Sequence, residues 1–160
     1  VESINFISHI AKISSNVSEY LKGTQIFQVL LRYVIQFPNS TFLQIAFNDF
    51  VIMSLKNPVL CKFAFDQYLQ LFIAEARLRS NGACSLTSSF LNILLFIQSN
   101  RKKDELLSKC LKKTACRKEY LTFEKEYLKK YKKILKKDYG GKIETQDNIS
   151  VVFHNVPNAD

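Results

Sequence analysis

Thr41 to Lys56 reads Thr-Phe-Leu-Gln-Ile-Ala-Phe-Asn-Asp-Phe-Val-Ile-Met-Ser-Leu-Lys. Phe42, Leu43, Ile45, Ala46, Phe47, Phe50, Val51, Met53 and Leu55 leave almost no polar side when wound at 3.6 residues per turn, so a central helix sandwiched between neighbours is expected. Its limits are written into the flanks. Pro38 stops the preceding helix because it has no N–H and crowds the turn before it, Asn39-Ser40-Thr41 restarts the chain, and Asn57-Pro58 places a proline at the first turn of the next helix.

Working outward, the same grammar repeats. Residues 2 to 14 carry Ile4, Phe6, Ile7, Ile10, Ala11 and Ile13 on an amphipathic helix. A short turn begins at Ser18 and ends at Gly23. Thr24 is expected to cap a helix that puts Ile26, Leu30, Tyr33, Val34 and Phe37 on one face. Val59 to Arg79 is a further broad-faced helix, closed by a left-handed cap at Asn81-Gly82. Leu86 to Gln98 is very apolar, and Ser99-Asn100 opens a short basic helix with Leu106, Leu107, Cys110 and Leu111 inward. A β signal occurs once, at Ile149 to Phe153.

Composition agrees. Thirteen Phe and seven Tyr stand against four Gly and three Pro in 160 residues, too few turn formers for a sandwich of short strands. With 47% apolar residues the chain is not disordered. The longest apolar run, Ile93 to Ile97, is far short of the roughly 20 residues that cross a bilayer. The expected fold is all-α, an irregular helical-hairpin (HEAT/armadillo-like) α-solenoid segment of about six to eight helices, in which each hairpin buries its face on the next. Residues 1–141 form the helical segment and 142–160 a polar tail. Beginning at Val1, without a leader, the chain reads as a piece of a longer protein.

Charge is placed unevenly. The formal net charge is +9, yet Arg101 to Lys142 alone holds sixteen basic and six acidic residues. Within it, the helix from Arg117 to about Lys137 gathers Tyr120, Leu121, Phe123, Tyr127, Leu128, Tyr131, Ile134 and Leu135 in a sector about 160° wide. Lys125, Lys129, Lys130, Lys132, Lys133, Lys136 and Lys137 take the remainder. One side packs and the other is cationic. A basic face of this kind, with Lys125, Lys129, Lys132, Lys133 and Lys136 at its centre, suits phosphate-driven binding of nucleic acid or anionic lipid, which would be sensitive to salt.

Catalytic and metal chemistry is not spelled out. Two histidines, His9 and His154, lie far apart, no Cys-x-x-Cys occurs among Cys61, Cys84, Cys110 and Cys116, and no phosphate-loop, dinucleotide or nucleophile-elbow motif is present. The expectation is no enzyme activity, no cofactor, no metal and no small-molecule substrate. Asp49, Asp66 and Glu75 read as surface charges. Cys61 and Cys110 sit among Leu and Phe, where a reduced thiol acts as a small hydrophobe, so a cytoplasmic or nuclear compartment is expected.

Three stretches, in order, resemble the later part of the SAPS domain, the helical region of regulatory subunits of protein phosphatase 6-type enzymes. Phe37-Pro38-Asn39-Ser40-Thr41-Phe42-Leu43-Gln44 resembles that family's aromatic-Pro-x-Asn-Asn-Phe-Leu-His segment, with Thr41 in place of the second Asn and Gln44 in place of His. Gly82, within Asn81 to Leu86, matches a second segment. Glu119-Tyr120, Phe123, Leu128 and Gly140-Gly141 are similar to the family's Glu-Trp-x-x-Phe, Leu and Gly-Gly ending, with Tyr120 for Trp. The resemblance implies a non-catalytic scaffold that binds the catalytic subunit of a protein phosphatase 6-type or 2A-like serine/threonine phosphatase and helps recruit substrate proteins. Asn39, Ser40 and Gln44, read as exposed polar positions beside the matching loop, are the expected partner contacts; helix capping by Asn39 or Ser40 is the alternative.

Overall fold

The computed structural model describes residues 2–4, 6–7, 14–78 and 85–135, and every regular element among them is helical. Residues 2–4 and 6–7 are helical, with Ile4 in the core. From there run α1 (Ser15–Gly23), α2 (Ile26–Gln36), α3 (Thr41–Lys56), α4 (Pro58–Leu78), α5 (Ser85–Asn100), α6 (Glu105–Lys113) and α7 (Arg117–Phe123). A π-helical turn, Glu124–Leu128, then leads into α8 (Lys129–Leu135). The all-α class and its helical hairpins are therefore observed. The boundary at residue 141, the Asn81-Gly82 cap and the β signal at 149–153 lie outside the described residues.

The proline-marked ends are where the sequence puts them. α2 stops at Gln36, ahead of Pro38, and the backbone N–H of Phe37 closes the last turn on Tyr33 O at 2.9 Å. Pro58 opens α4, and Asn57 Oδ1 accepts from the N–H groups of Val59 (2.9 Å) and Leu60 (3.1 Å), satisfying two donors that the helix start leaves over. Other boundaries differ from expectation. α1 starts at Ser15, because Ser14 supplies the cap by accepting from Val17 N–H at 3.5 Å. Ser18 thus falls inside the helix, fully buried, where its Oγ accepts from Asn57 Nδ2 at 2.9 Å. Thr24 closes α1 and does not open α2: its Oγ1 donates to Leu21 O at 2.8 Å, and Gln25 precedes α2 without a side-chain cap. Likewise α5 continues through Asn100, and it is Asp104 whose carboxylate caps α6, accepting from Leu107 N–H at 3.2 Å.

α4 is the hub. It touches α1, α3, α5, α6 and α7, whereas α3 meets α2, α4, α5 and α6. The expected central role of Thr41–Lys56 is thereby shared with the longer Pro58–Leu78 helix, whose buried residues Leu60, Cys61, Ala64, Phe65, Tyr68, Leu69, Phe72, Ile73 and Ala76 run its full length. α3 is not enclosed all round, since Phe42 and Ile45 stand exposed. Because α3, α4 and α5 are in mutual contact, the packing gathers around one helix, and stacking in which each hairpin meets only the next is not what these contacts establish.

Aromatic rings fill the joints. Phe27 of α2 lies 4.8 Å from Phe50 and stacks on Tyr68 at 5.2 Å, joining α2, α3 and α4. Phe47, Phe72 and Phe90 meet at 6.1–6.2 Å, joining α3, α4 and α5. Such pairs, in tilted or edge-on geometry, add about 0.5–1.5 kcal/mol each beyond the area they bury. Ser54, buried on α3, is satisfied by donating to Phe50 O at 2.8 Å.

Candidate docking ridge and cationic surface

Two surfaces carry the candidate residues. The first surrounds the α2–α3 turn. Pro38 makes the chain leave α2 and re-enter as α3 after a four-residue break, and several apolar side chains near both helix ends are left exposed. Tyr33 and Phe37 stack at 6.3 Å with an interplanar angle of 15°, both half exposed. Val29, one turn before Tyr33 on α2, is exposed as well. Across the turn, within the first five residues of α3, so are Phe42 (77% exposed) and Ile45 (53%).

Asn39 is exposed at the turn and Ser40 is half-buried. Gln44 is not the exposed contact residue expected: it is buried, and its Nε2 donates to Pro38 O, tying the first turn of α3 back across the loop. The amide thus takes up the carbonyl that the proline break orphans. Ser40, at the cap position of α3, makes no side-chain cap bond, and α3 starts with a backbone bond from Gln44 N–H to Ser40 O at 3.0 Å. Sequence reasoning misses the pair Phe42 and Ile45, placed in the core because α3 is apolar all round. Their spacing of three, with Asp49 four further on, is the one legible sign of an outer stripe. Beside the ridge, α2 and α4 frame a groove of about 490 Å³ lined by Gln28, Leu31, Arg32, Ile35, Leu71 and Glu75, among others.

The second surface is the end of the chain from α7 to α8. Tyr120, Phe123 and Leu128 are fully buried, and Lys125, Lys129, Lys132 and Lys133 are exposed, as the helical wheel places them; Lys136 lies outside the described residues. Two features differ from expectation. Glu124 is buried, at 8% exposure, and its Oε1 accepts from Arg101 Nη2 at 2.8 Å. At 100° per residue Glu124 falls in the middle of the apolar sector, which is the legible sign that it needs a cation. The π turn is the other. Tyr120, Glu124 and Leu128 recur every fourth residue, a spacing that drifts off one face at 3.6 per turn, and one wider turn brings all three back towards α5.

Electrostatics reflect the packing. The Tyr120 hydroxyl donates to Leu94 O at 3.4 Å, and burial, with the Glu124 carboxylate adding to it, pushes its phenol well above the usual range. Arg77 bridges to Glu119 at 3.1 Å and lies over the Phe123 ring at 5.6 Å, fastening α7 to α4. Cys61 and Cys110 are buried as expected, and burial, then the neighbouring Cys110 thiol, hold Cys61 far above ordinary thiol titration, so it behaves as a small apolar side chain. Among the described residues, no three His, Cys, Asp or Glu gather as a metal-ligand set, and no helix is long and apolar enough to cross a membrane. Comparison with known proteins finds no family model, no curated protein and no solved structure that matches the chain.

Proposed function

We propose that the chain is a non-catalytic docking module whose ridge, Tyr33, Phe37, Phe42 and Ile45, seats a protein partner. The observation that carries this reading is the exposure of four large apolar side chains on the two helix ends that a proline-set turn joins, two of them stacked on each other. Burying exposed rings that are already stacked costs little side-chain ordering, and aromatic anchors of this kind concentrate binding energy. Phe37 and Phe42 lie in the segment, Phe37 to Gln44, that resembles the SAPS-type scaffolds, and Tyr33 and Ile45 flank it. The partner class is accordingly the catalytic subunit of a protein phosphatase 6-type or 2A-like serine/threonine phosphatase, with substrate recruitment as the consequence of docking. In this reading Asn39 and Ser40 rim the apolar ridge, while Gln44 acts from beneath by holding the turn.

The test is direct binding of the purified chain to a phosphatase catalytic subunit, measured by interferometry. Phe42→Asp and Phe37→Ser are expected to weaken binding by tenfold or more without loss of helicity. No binding at tens of micromolar, or binding indifferent to both substitutions, would refute the reading.

A further inference from the structure

The Arg101–Glu124 pair does more than close a gap in the core. It pins the turn after α5 against the π turn, so Lys102 and Lys103 on one element and Lys125 on another each lie within two residues of a single contact. Lys129 comes four positions after Lys125 and therefore stands one turn further along the same side, with Lys132 and Lys133 beyond it. All six are exposed, and none forms an ion pair among the described residues. The nearby carboxylates are mostly committed: Glu124 to Arg101, Glu119 to Arg77, Glu105 to Lys109 at 2.8 Å, and Asp104 to the α6 cap, which leaves Glu126 as the exposed acid on the π turn.

We propose that Lys102, Lys103, Lys125, Lys129, Lys132 and Lys133 form one composite cationic surface that binds the phosphate backbone of nucleic acid without reading its sequence. Three observations select this partner. The apolar side of the α7–α8 segment, Tyr120, Phe123 and Leu128, is buried in the protein, so the segment cannot lay that side into a bilayer as an amphipathic membrane helix does. The surface is lysine throughout, and Arg101, the arginine beside it, is spent on Glu124; the planar forks that grip carboxylates of an acidic protein in pairs are absent from the set. Compact ammonium groups set along two elements suit a polymer whose charges repeat at short, regular intervals. Sequence is read by a mixed set of donors and acceptors held against base edges in a groove, whereas six ammonium groups on flexible stems offer donors alone, so discrimination between sequences is not expected.

Fluorescence anisotropy with the full chain and labelled 20-base duplex and single-stranded oligonucleotides tests this. Neutralising four or five phosphates predicts a loss of affinity of roughly 150- to 500-fold between 50 and 200 mM salt on duplex. Lys102→Glu with Lys103→Glu, and separately Lys125→Glu with Lys129→Glu, should each weaken binding by at least tenfold, whereas Lys22→Glu, on α1, should leave it unchanged. Circular dichroism of each variant checks that it is folded; should one unfold, the matching Lys→Gln pair replaces it, with a smaller loss in the same direction expected. If only the α8 lysines matter, the composite surface is wrong. If phosphatidylserine vesicles or polyglutamate bind and the oligonucleotides do not, the nucleic-acid assignment is wrong. Neither result bears on the Phe42 ridge, whose test uses other residues and a protein ligand.

Discussion

Arg101 and Glu124, twenty-three residues apart, meet at 2.8 Å with the carboxylate nine-tenths enclosed and the guanidinium about three-quarters so. The pair makes one short contact, while Arg101 Nε and Glu124 Oε2 are buried without a hydrogen-bond partner, so the desolvation of the two charges is only partly offset. Its removal is therefore asymmetric: one partner lost leaves an uncompensated buried charge and is worse than both. Arg101→Met or Glu124→Leu alone should cost about 3 kcal/mol in urea unfolding, and the double variant should recover at least half of that. Additive losses in the double variant would mean the two side chains do not act as a pair.

Phenylalanines separate into two kinds. Phe47 and Phe72 are enclosed on α3 and α4 and in edge-to-face contact at 6.2 Å, so Phe47→Ala or Phe72→Ala should destabilise the chain by about 3–5 kcal/mol through lost burial and the cavity left behind. Phe42, 77% exposed, should cost no more than about 0.5 kcal/mol when changed to Ala. Thermal melts of the three variants distinguish them, and an equal loss at Phe42 would move it from the ridge to the core.

Asn57 works at two addresses. Its carbonyl oxygen caps α4 and its amide reaches Ser18 on α1. Asn57→Asp keeps the cap and removes the amide donor, whereas Asn57→Ala removes both. The Ala variant should lose about 1–2 kcal/mol and the Asp variant a smaller amount, measured by denaturant midpoint.

Alkaline stability depends on Tyr120. The unfolded chain releases this phenolic proton near pH 10, while the folded chain holds it to higher pH because burial disfavours the phenolate. The folded state then binds more protons, so stability falls as pH rises above about 10 and is fully present below it. Tyr120→Phe should have a flatter urea-midpoint curve between pH 9 and 11 than the parent chain. Parallel curves would show that Tyr120 titrates normally.

Local signals carried the helical class and many of its breaks. Pro38 and Pro58 act through their own missing N–H, and the apolar spacing in α4, α5 and α6 survives in the structure because those faces are covered by the neighbours their pattern demands. Hydroxyl caps were less legible. Ser14, Thr24 and Ser40 are chemically similar, and only the path of the chain decides which of them finds a free N–H or carbonyl.

Periodicity alone established that α3 is apolar on every side and that α7 and α8 divide into an apolar and a cationic half. The tertiary structure decided which apolar side chains remain uncovered, turning Phe42 and Ile45 outward, and which polar ones are enclosed, turning Gln44 and Glu124 inward. The reason is physical: spacing sets the direction of a side chain relative to its own helix, whereas burial depends on what a distant segment brings to that direction. Glu124 needed Arg101, twenty-three residues away, before its carboxylate could leave water.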